Sequence, residues 1–188
     1  MRAMRKPIVI GLERDGVINE HRNFTIRTTQ QFVPIESSLE AIALLRSKGC
    51  RICIITNQDG IATGMVSQEA IEGVHDHMFK LLGEAGCPSI DALYFSSSTD
   101  KQDYYAKPNL GMFHRCQKEN PSLSFKNGFY IGHTIKDLKS ADKIGATPIL
   151  VRTGLGQETE NNLKKFTYRK LYKKTKIFNN LMEFAQTI

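Results

Sequence analysis

The chain has 188 residues, of which 40% are hydrophobic and 24% charged, with a formal net charge of +7. That length supports one substantial core and is short for two. No apolar run approaches the ~18 residues needed to cross a bilayer, so no membrane-spanning helix is expected.

Arg2, Arg5 and Lys6 precede a short apolar run that meets Glu13 at once, too short for a signal-peptide core. A cytoplasmic protein is expected. Residues 8–19 read IVIGLERDGVIN, an apolar stretch that breaks abruptly into charge and Gly16. This is the pattern of a buried parallel strand whose carboxyl end opens into a tight loop. Strand alternation sends Glu13 and Asp15 to one side, roughly 6 to 7 Å apart along the backbone. Two carboxylates so placed can hold a hard cation between them and a phosphate.

Residues 20–34 have neither helical nor strand period and read as a long loop over the strand ends, where loops are frequently functional. Ser37 and Glu40 carry the spacing of a capping box, predicting a helix through Ser47 that Gly49 stops. Arg51 to Ile55 is a second strand, ending in Thr56-Asn57-Gln58. After a glycine-bearing loop, Ser67 is positioned to cap a helix running to about Ala85. Ala92 to Phe95 is a third strand, followed by polar residues up to Lys107. The pattern then predicts a helix over 110–119, a strand over 128–131, a helix over 134–144 and a strand over 148–151. A short strand over 176–178 and a helix from Asn180 close the chain. Strands alternating with helices argue an α/β fold, a parallel sheet with helices on both faces. One domain over 1–188 is expected, with the basic segment 152–188 packed on or flanking it.

The cysteines, Cys50, Cys53, Cys87 and Cys116, are scattered. Cys50 and Cys53 have C-x-x-C spacing, but residues three apart on a strand point to opposite faces, so buried thiols are expected rather than a site. His75 and His77 on a helix do not face each other. Residues 152–188 hold eight Lys/Arg against three Asp/Glu, a surface that attracts phosphates or nucleic acid or is simply solvated.

Every chemically suggestive group falls just after a strand. Glu13 and Asp15 follow the first, Thr56 and Asn57 the second, Lys107 the third by a loop, and His133 and Asp137 the fourth. In an open α/β sheet these positions converge on the ligand-binding edge.

The same positions carry a resemblance. Leu12-Glu13-Arg14-Asp15-Gly16-Val17-Ile18-Asn19, residues 55–64 (ITNQDGIATG), Lys107-Pro108 with Gly111-Met112, Gly132-His133-Thr134-Ile135-Lys136-Asp137 and Leu150 to Gly154 together resemble the motifs of the haloacid dehalogenase superfamily of phosphatases. The similar branch contains D,D-heptose 1,7-bisphosphate phosphatase and histidinol phosphatase. The resemblance spans residues 7–154 and implies a Rossmann-like fold without a large cap domain. It implies an attacking Asp at position 13, Asp15 as acid and then base, and Thr56 and Lys107 as the phosphate clamp. Asn19, Asn57, Gln58 and Lys107 become candidate substrate contacts, and Glu13, Asp15, His133 and Asp137 candidate ligands for Mg²⁺. An aspartyl-phosphate would split one hard hydrolysis into two steps while cation, Lys and Thr stabilise the equatorial charge.

Three residues depart from that pattern. Glu13 stands for the nucleophilic Asp, and its extra methylene moves the carboxylate by up to about 1.5 Å; misplacement by about 1 Å can cost on the order of 100-fold in rate. His133 stands for an Asp, removing a hard oxygen where Mg²⁺ wants one and suiting a transition metal better. Ala106 replaces an Arg that often precedes the motif Lys, and residues 96–107 contain no Cys or His for the structural zinc of part of the branch. Three readings follow: a phosphatase relative that binds a phosphorylated small molecule and hydrolyses it weakly or not at all, an active metal-dependent phosphomonoesterase, or an interaction protein whose basic tail binds nucleic acid or another partner.

Overall fold

In the computed structural model, which describes residues 7–188, the apolar run after Pro7 becomes β1 (Val9–Leu12), with all four residues buried. β1 pairs in parallel with β2 (Arg51–Asn57) on one side and β4 (Phe129–Gly132) on the other. Adding β3 (Ala92–Ser96), β5 (Thr147–Val151) and β6 (Lys176–Phe178) gives a six-stranded parallel sheet in the order β3-β2-β1-β4-β5-β6. Strand order reverses at β1, so the crevice for a ligand opens at the carboxyl ends of β1 and β4.

Among the described residues, seven helices cover the sheet: α1 (Glu36–Ser47), α2 (Gln68–Glu84), α3 (Gly111–Glu119), α4 (Ile135–Ile144), α5 (Gly156–Leu163), α6 (Arg169–Lys174) and α7 (Leu181–Ala185). Strand alternation divides the core. Ile10, Leu12, Ile52 and Ile54 pack with Ile42, Leu45, Val74, Met78 and Phe184 on one face. Val9, Cys53 and Ile55 pack with Phe113, Phe125 and Tyr130 on the other. Cys50 and Cys53 fall into different clusters, as their spacing requires, and all four thiols are free and buried.

One expectation is corrected and one stretch went unread. The capping box at Ser37 and Glu40 does not form. The helix begins at Glu36 behind Ile35, which caps with no side-chain bond, and the buried Ser38 hydroxyl has no partner among the described residues. The cause is tertiary: Ile35 N–H donates to Ile18 O at 2.9 Å, which fixes where the chain enters the helix. Second, α5 and α6 were not legible in the pattern. α6 is six residues long and buries only Leu171, too few turns for a 3.6 period to show.

The last elements close the edge. β6 adds to β5, Asn180 caps α7 by accepting from Glu183 N–H at 2.9 Å, and Phe184 meets Phe129 and Phe178 edge-on at 5.2 and 5.5 Å. Phe184→Ala is expected to cost about 3–5 kcal/mol of stability by urea denaturation, as for large core deletions generally. An unchanged midpoint would show that α7 contributes nothing to the core.

Candidate phosphate site

The loop after β1 is built for close approach. Gly16 has φ +73, and a Cβ there would lie 2.7 Å from the His133 ring, so glycine is required both by conformation and by space. Gly132, at the end of β4, leaves room for Asp137 in the same way. Thr134 then opens α4 through a full capping box in which Asp137 is the reciprocal partner.

Five expected residues gather here. The Thr56 hydroxyl donates a short hydrogen bond to Glu13 Oε1, which also accepts from Arg14 N–H at 3.0 Å. Glu13 Oε2 is in ion-pair contact with Lys107 Nζ. The same ammonium donates to Asp137 Oδ1 at 2.6 Å and to the Tyr130 hydroxyl at 2.9 Å, and Tyr130 donates to Ile55 O at 2.5 Å. Asp137 Oδ2 accepts from Thr134 Oγ1 at 2.7 Å and from the backbone N–H groups of Thr134 and His133. Lys107, Glu13 and Asp137 are all buried. Burial lowers the pKa of Lys107, opposed by Asp137; burial raises that of Asp137, and the Lys107 charge with the hydrogen bonds from Lys107 and Thr134 outweighs it, leaving the carboxyl below its usual range.

Asp15 is held by a separate set. Arg14, buried completely, grips it through Nε and Nη2 at 3.2 and 2.9 Å, while Asn19 and Gln58 side-chain amides donate at 2.9 and 2.8 Å. Burial pushes the Asp15 carboxyl up, but Arg14 and the amides outweigh it and hold it below the usual range. Arg14 Nη1 lies 3.1 Å from His75 Nε2; a guanidinium only donates, so this nitrogen is the acceptor and His75 is neutral. Burial, reinforced by Arg14, lowers its pKa to about 4.

His133 is also neutral. Its Nδ1 accepts the Leu155 N–H at 2.9 Å, which leaves the proton on Nε2, and burial holds its pKa low. The His21 ring stands 5.3 Å away.

These groups border a cavity of about 490 Å³ whose walls include Glu13, Asp15, Asn57, Gln58, Lys107, His133 and Asp137, with His21, Arg22, Phe24 and Lys136 toward the mouth. Thr56 reaches it through Glu13. Asn19 does not face it: the side chain is fully buried behind Asp15. Asn57 splits its amide, accepting from Lys107 N–H at 3.0 Å and donating to Lys107 O at 3.3 Å, and so anchors the lysine loop. Arg14, His75, Tyr130 and Leu155 were not foreseen. Arg14 between two acids carries a weak signal; the others depend on packing between distant segments. Among the described residues, no group of three or more His, Cys, Asp or Glu side chains is placed to hold a metal ion.

The family model described as polynucleotide kinase 3 phosphatase matches residues 14–178. The chain is 31% identical over 182 residues to the D-glycero-beta-D-manno-heptose-1,7-bisphosphate 7-phosphatase of Neisseria meningitidis serogroup A, covering 96% of this chain and 94% of the relative. It belongs to the heptose bisphosphate phosphatase branch of the haloacid dehalogenase superfamily. The corresponding enzyme of Pseudomonas putida is 34% identical over 148 residues, 79% of this chain and 84% of its own. Among solved structures, the D,D-heptose 1,7-bisphosphate phosphatase of B. bronchiseptica, complexed with magnesium and phosphate, superposes with a TM-score of 0.86 at 25% identity, covering 96% of this chain and 97% of that one. The fold of this superfamily member is therefore the Rossmann-like α/β fold of the branch.

The neutral histidines predict a pH dependence. A group whose folded pKa is depressed contributes stability that is complete above its unfolded pKa and lost as pH falls through its folded one. For His75 that window runs from 6.5 to about 4, with a contribution of up to about 3 kcal/mol. Urea denaturation across this range should show wild-type stability falling with acid, and a shallower fall in His75→Gln, which still accepts from Arg14; His133 supplies the residual slope. Superimposable profiles would contradict the neutral His75. Below pH 4, Asp15 and Asp137 lose their stabilising contribution in turn.

Proposed function

We propose that this chain is a phosphatase relative that holds a phosphorylated small molecule, of the sugar phosphate class, and hydrolyses it weakly or not at all. The relatives named above act, by their names, on a heptose bisphosphate. The observation that supports reduced hydrolysis is the position of the Glu13 carboxylate. It accepts from Thr56, from Arg14 N–H and from Lys107, and two of these are the donors that the family resemblance assigns to the transferring phosphoryl group. The extra methylene carries the carboxylate about 1.5 Å further than Asp would reach, into competition with a phosphate. Glu13 must turn aside for a ligand to use the same donors, and a carboxylate turned aside is poorly aligned to attack phosphorus.

Magnesium does not fit this donor set. Both Asp137 oxygens already accept hydrogen bonds, both Glu13 oxygens face donors, and Lys107 places an ammonium between the two carboxylates. Mg²⁺ needs near-octahedral oxygen ligands, and His133 offers none. A transition metal through His133 is disfavoured on the same grounds: Nδ1 is occupied by Leu155, and Nε2 carries the proton.

The decisive experiment compares wild type with a Glu13→Asp, His133→Asp double variant on a generic aryl phosphate and on sugar phosphates with Mg²⁺. Wild type is expected near background and the double variant higher by at least tenfold, a fraction of the ~100-fold that a 1 Å misplacement can cost. Robust wild-type turnover overturns the reading. Elemental analysis of the purified protein is expected to find no stoichiometric metal in wild type; one bound metal per chain would show that the site reorganises and would restore the active-enzyme interpretation.

A further inference from the structure

The basic excess of the chain is organised. Residues 164–176 read KKFTYRKLYKKTK, with seven Lys/Arg and no Asp or Glu. They form the connection from α5 through a 3-10 turn (Phe166–Tyr168) and α6 to the start of β6. Of these, Lys164 lies 4.0 Å from Glu160 and Lys174 pairs with Asp142 at 2.5 Å, while Lys165 donates to Asn162. Arg169, Lys170 and Lys173 are exposed, and the described structure gives none of them an ion-pair partner.

This segment continues onto α4. Lys136, Lys139 and Lys143 are spaced i, i+3, i+7 and so share one helix face. Lys139 stands over the Tyr168 ring at 5.3 Å, and the Lys174–Asp142 pair ties the far end of α6 to the same helix. Lys136, at the other end, borders the phosphate cavity. The cations therefore form a track that begins at the cavity mouth, runs roughly 10 Å down α4 and spreads over α6. Aromatic rings stand along it: Phe166 is 86% exposed and Tyr172 38%. A large apolar ring held that far into water, within a field of uncompensated cations, suits a ligand carrying both anions and flat apolar faces.

We propose that this track binds single-stranded nucleic acid, with Lys136, Lys139, Arg169, Lys170 and Lys173 neutralising successive phosphates and Phe166 and Tyr172 stacking on bases. Cationic grooves with interleaved aromatics bind single strands without sequence preference in this way. The inference rests on the α4–α6 surface and is independent of whether Glu13 permits hydrolysis.

Fluorescence anisotropy with a labelled strand of about 15 deoxythymidines tests it. Affinity should fall with salt between ~50 and ~200 mM, with a log–log slope of about −2 to −4, equivalent to three to five neutralised phosphates. Arg169→Glu, Lys170→Glu, Lys173→Glu together should weaken binding at least tenfold. Lys80→Glu, on the exposed face of α2, should leave it unchanged. Phe166→Ala should weaken binding to the strand about tenfold while leaving heparin, a polyanion without bases, unaffected. If the triple variant fails to fold, Lys170→Glu and Phe166→Ala alone carry the test. No binding at low salt, equal binding by the charge-reversed protein, or loss of Phe166 without effect on the strand would each overturn the proposal, the last in favour of generic polyanion attraction. Preferential binding to anionic lipid vesicles over the strand would also overturn it, in favour of a membrane surface.

Discussion

The Lys107 ammonium, buried between Glu13 and Asp137, is the interaction on which the sheet edge depends. An isolated charge in that position would be strongly disfavoured, and removing one partner of a buried pair costs several kcal/mol. The lysine arrives after β3, Glu13 from the end of β1, Asp137 from α4 and the Tyr130 hydroxyl from β4. These four segments meet at that one ammonium, so a displacement of any of them breaks a contact it makes, while the apolar layers supply most of the stability.

Behind it lies a second polar set with a different task. Arg14 spans from Asp15 to His75, and His75 sits beside Phe95 at 5.4 Å. A neutral imidazole can accept from the guanidinium where an imidazolium would repel it. The pair thereby fixes the orientation of Asp15 from within the core, and Asn19 and Gln58 complete its hydrogen bonding. Asp15 is held as a carboxylate by four side-chain donors, which favours its role as acceptor over that of proton donor.

Glu13 alters the balance between these sets. In a site whose cations and donors await an anion, the longest available carboxylate reaches them first. On the reading proposed above, the edge is a phosphate pocket satisfied internally, and His133, packed over Gly16 and bonded to Leu155 N–H, presents an N–H at a position for which the family resemblance implies an oxygen. Glu13 changes the reach of a carboxylate and His133 replaces a carboxylate with a neutral ring, both at the sheet edge and outside the apolar layers, and the chain still superposes on a solved relative at 25% identity with a TM-score of 0.86.

Much of this was legible beforehand because it is local. The apolar run into Glu13, the alternation of strands and helices, and the recurrence of polar groups after each strand follow from periodicities that the side chains carry themselves. The opposite facing of Cys50 and Cys53 is likewise a property of strand geometry. The capping box at Ser37 failed because a long-range bond from Ile35 to Ile18 outweighed a local preference, and α6 escaped because six residues hold too little period.

The sequence by itself determined the order of the strands along the chain, the residues that reach the sheet edge and the excess of positive charge. Only the tertiary structure decided that Asn19 faces inward, that Arg14 and His75 meet across sixty-one residues of separation, that Glu13 meets Thr56 and Lys107, and that the basic tail joins α4 in one track. Those outcomes depend on which distant donor reaches which acceptor first in a space too small for water to compete, and no local pattern encodes that distance.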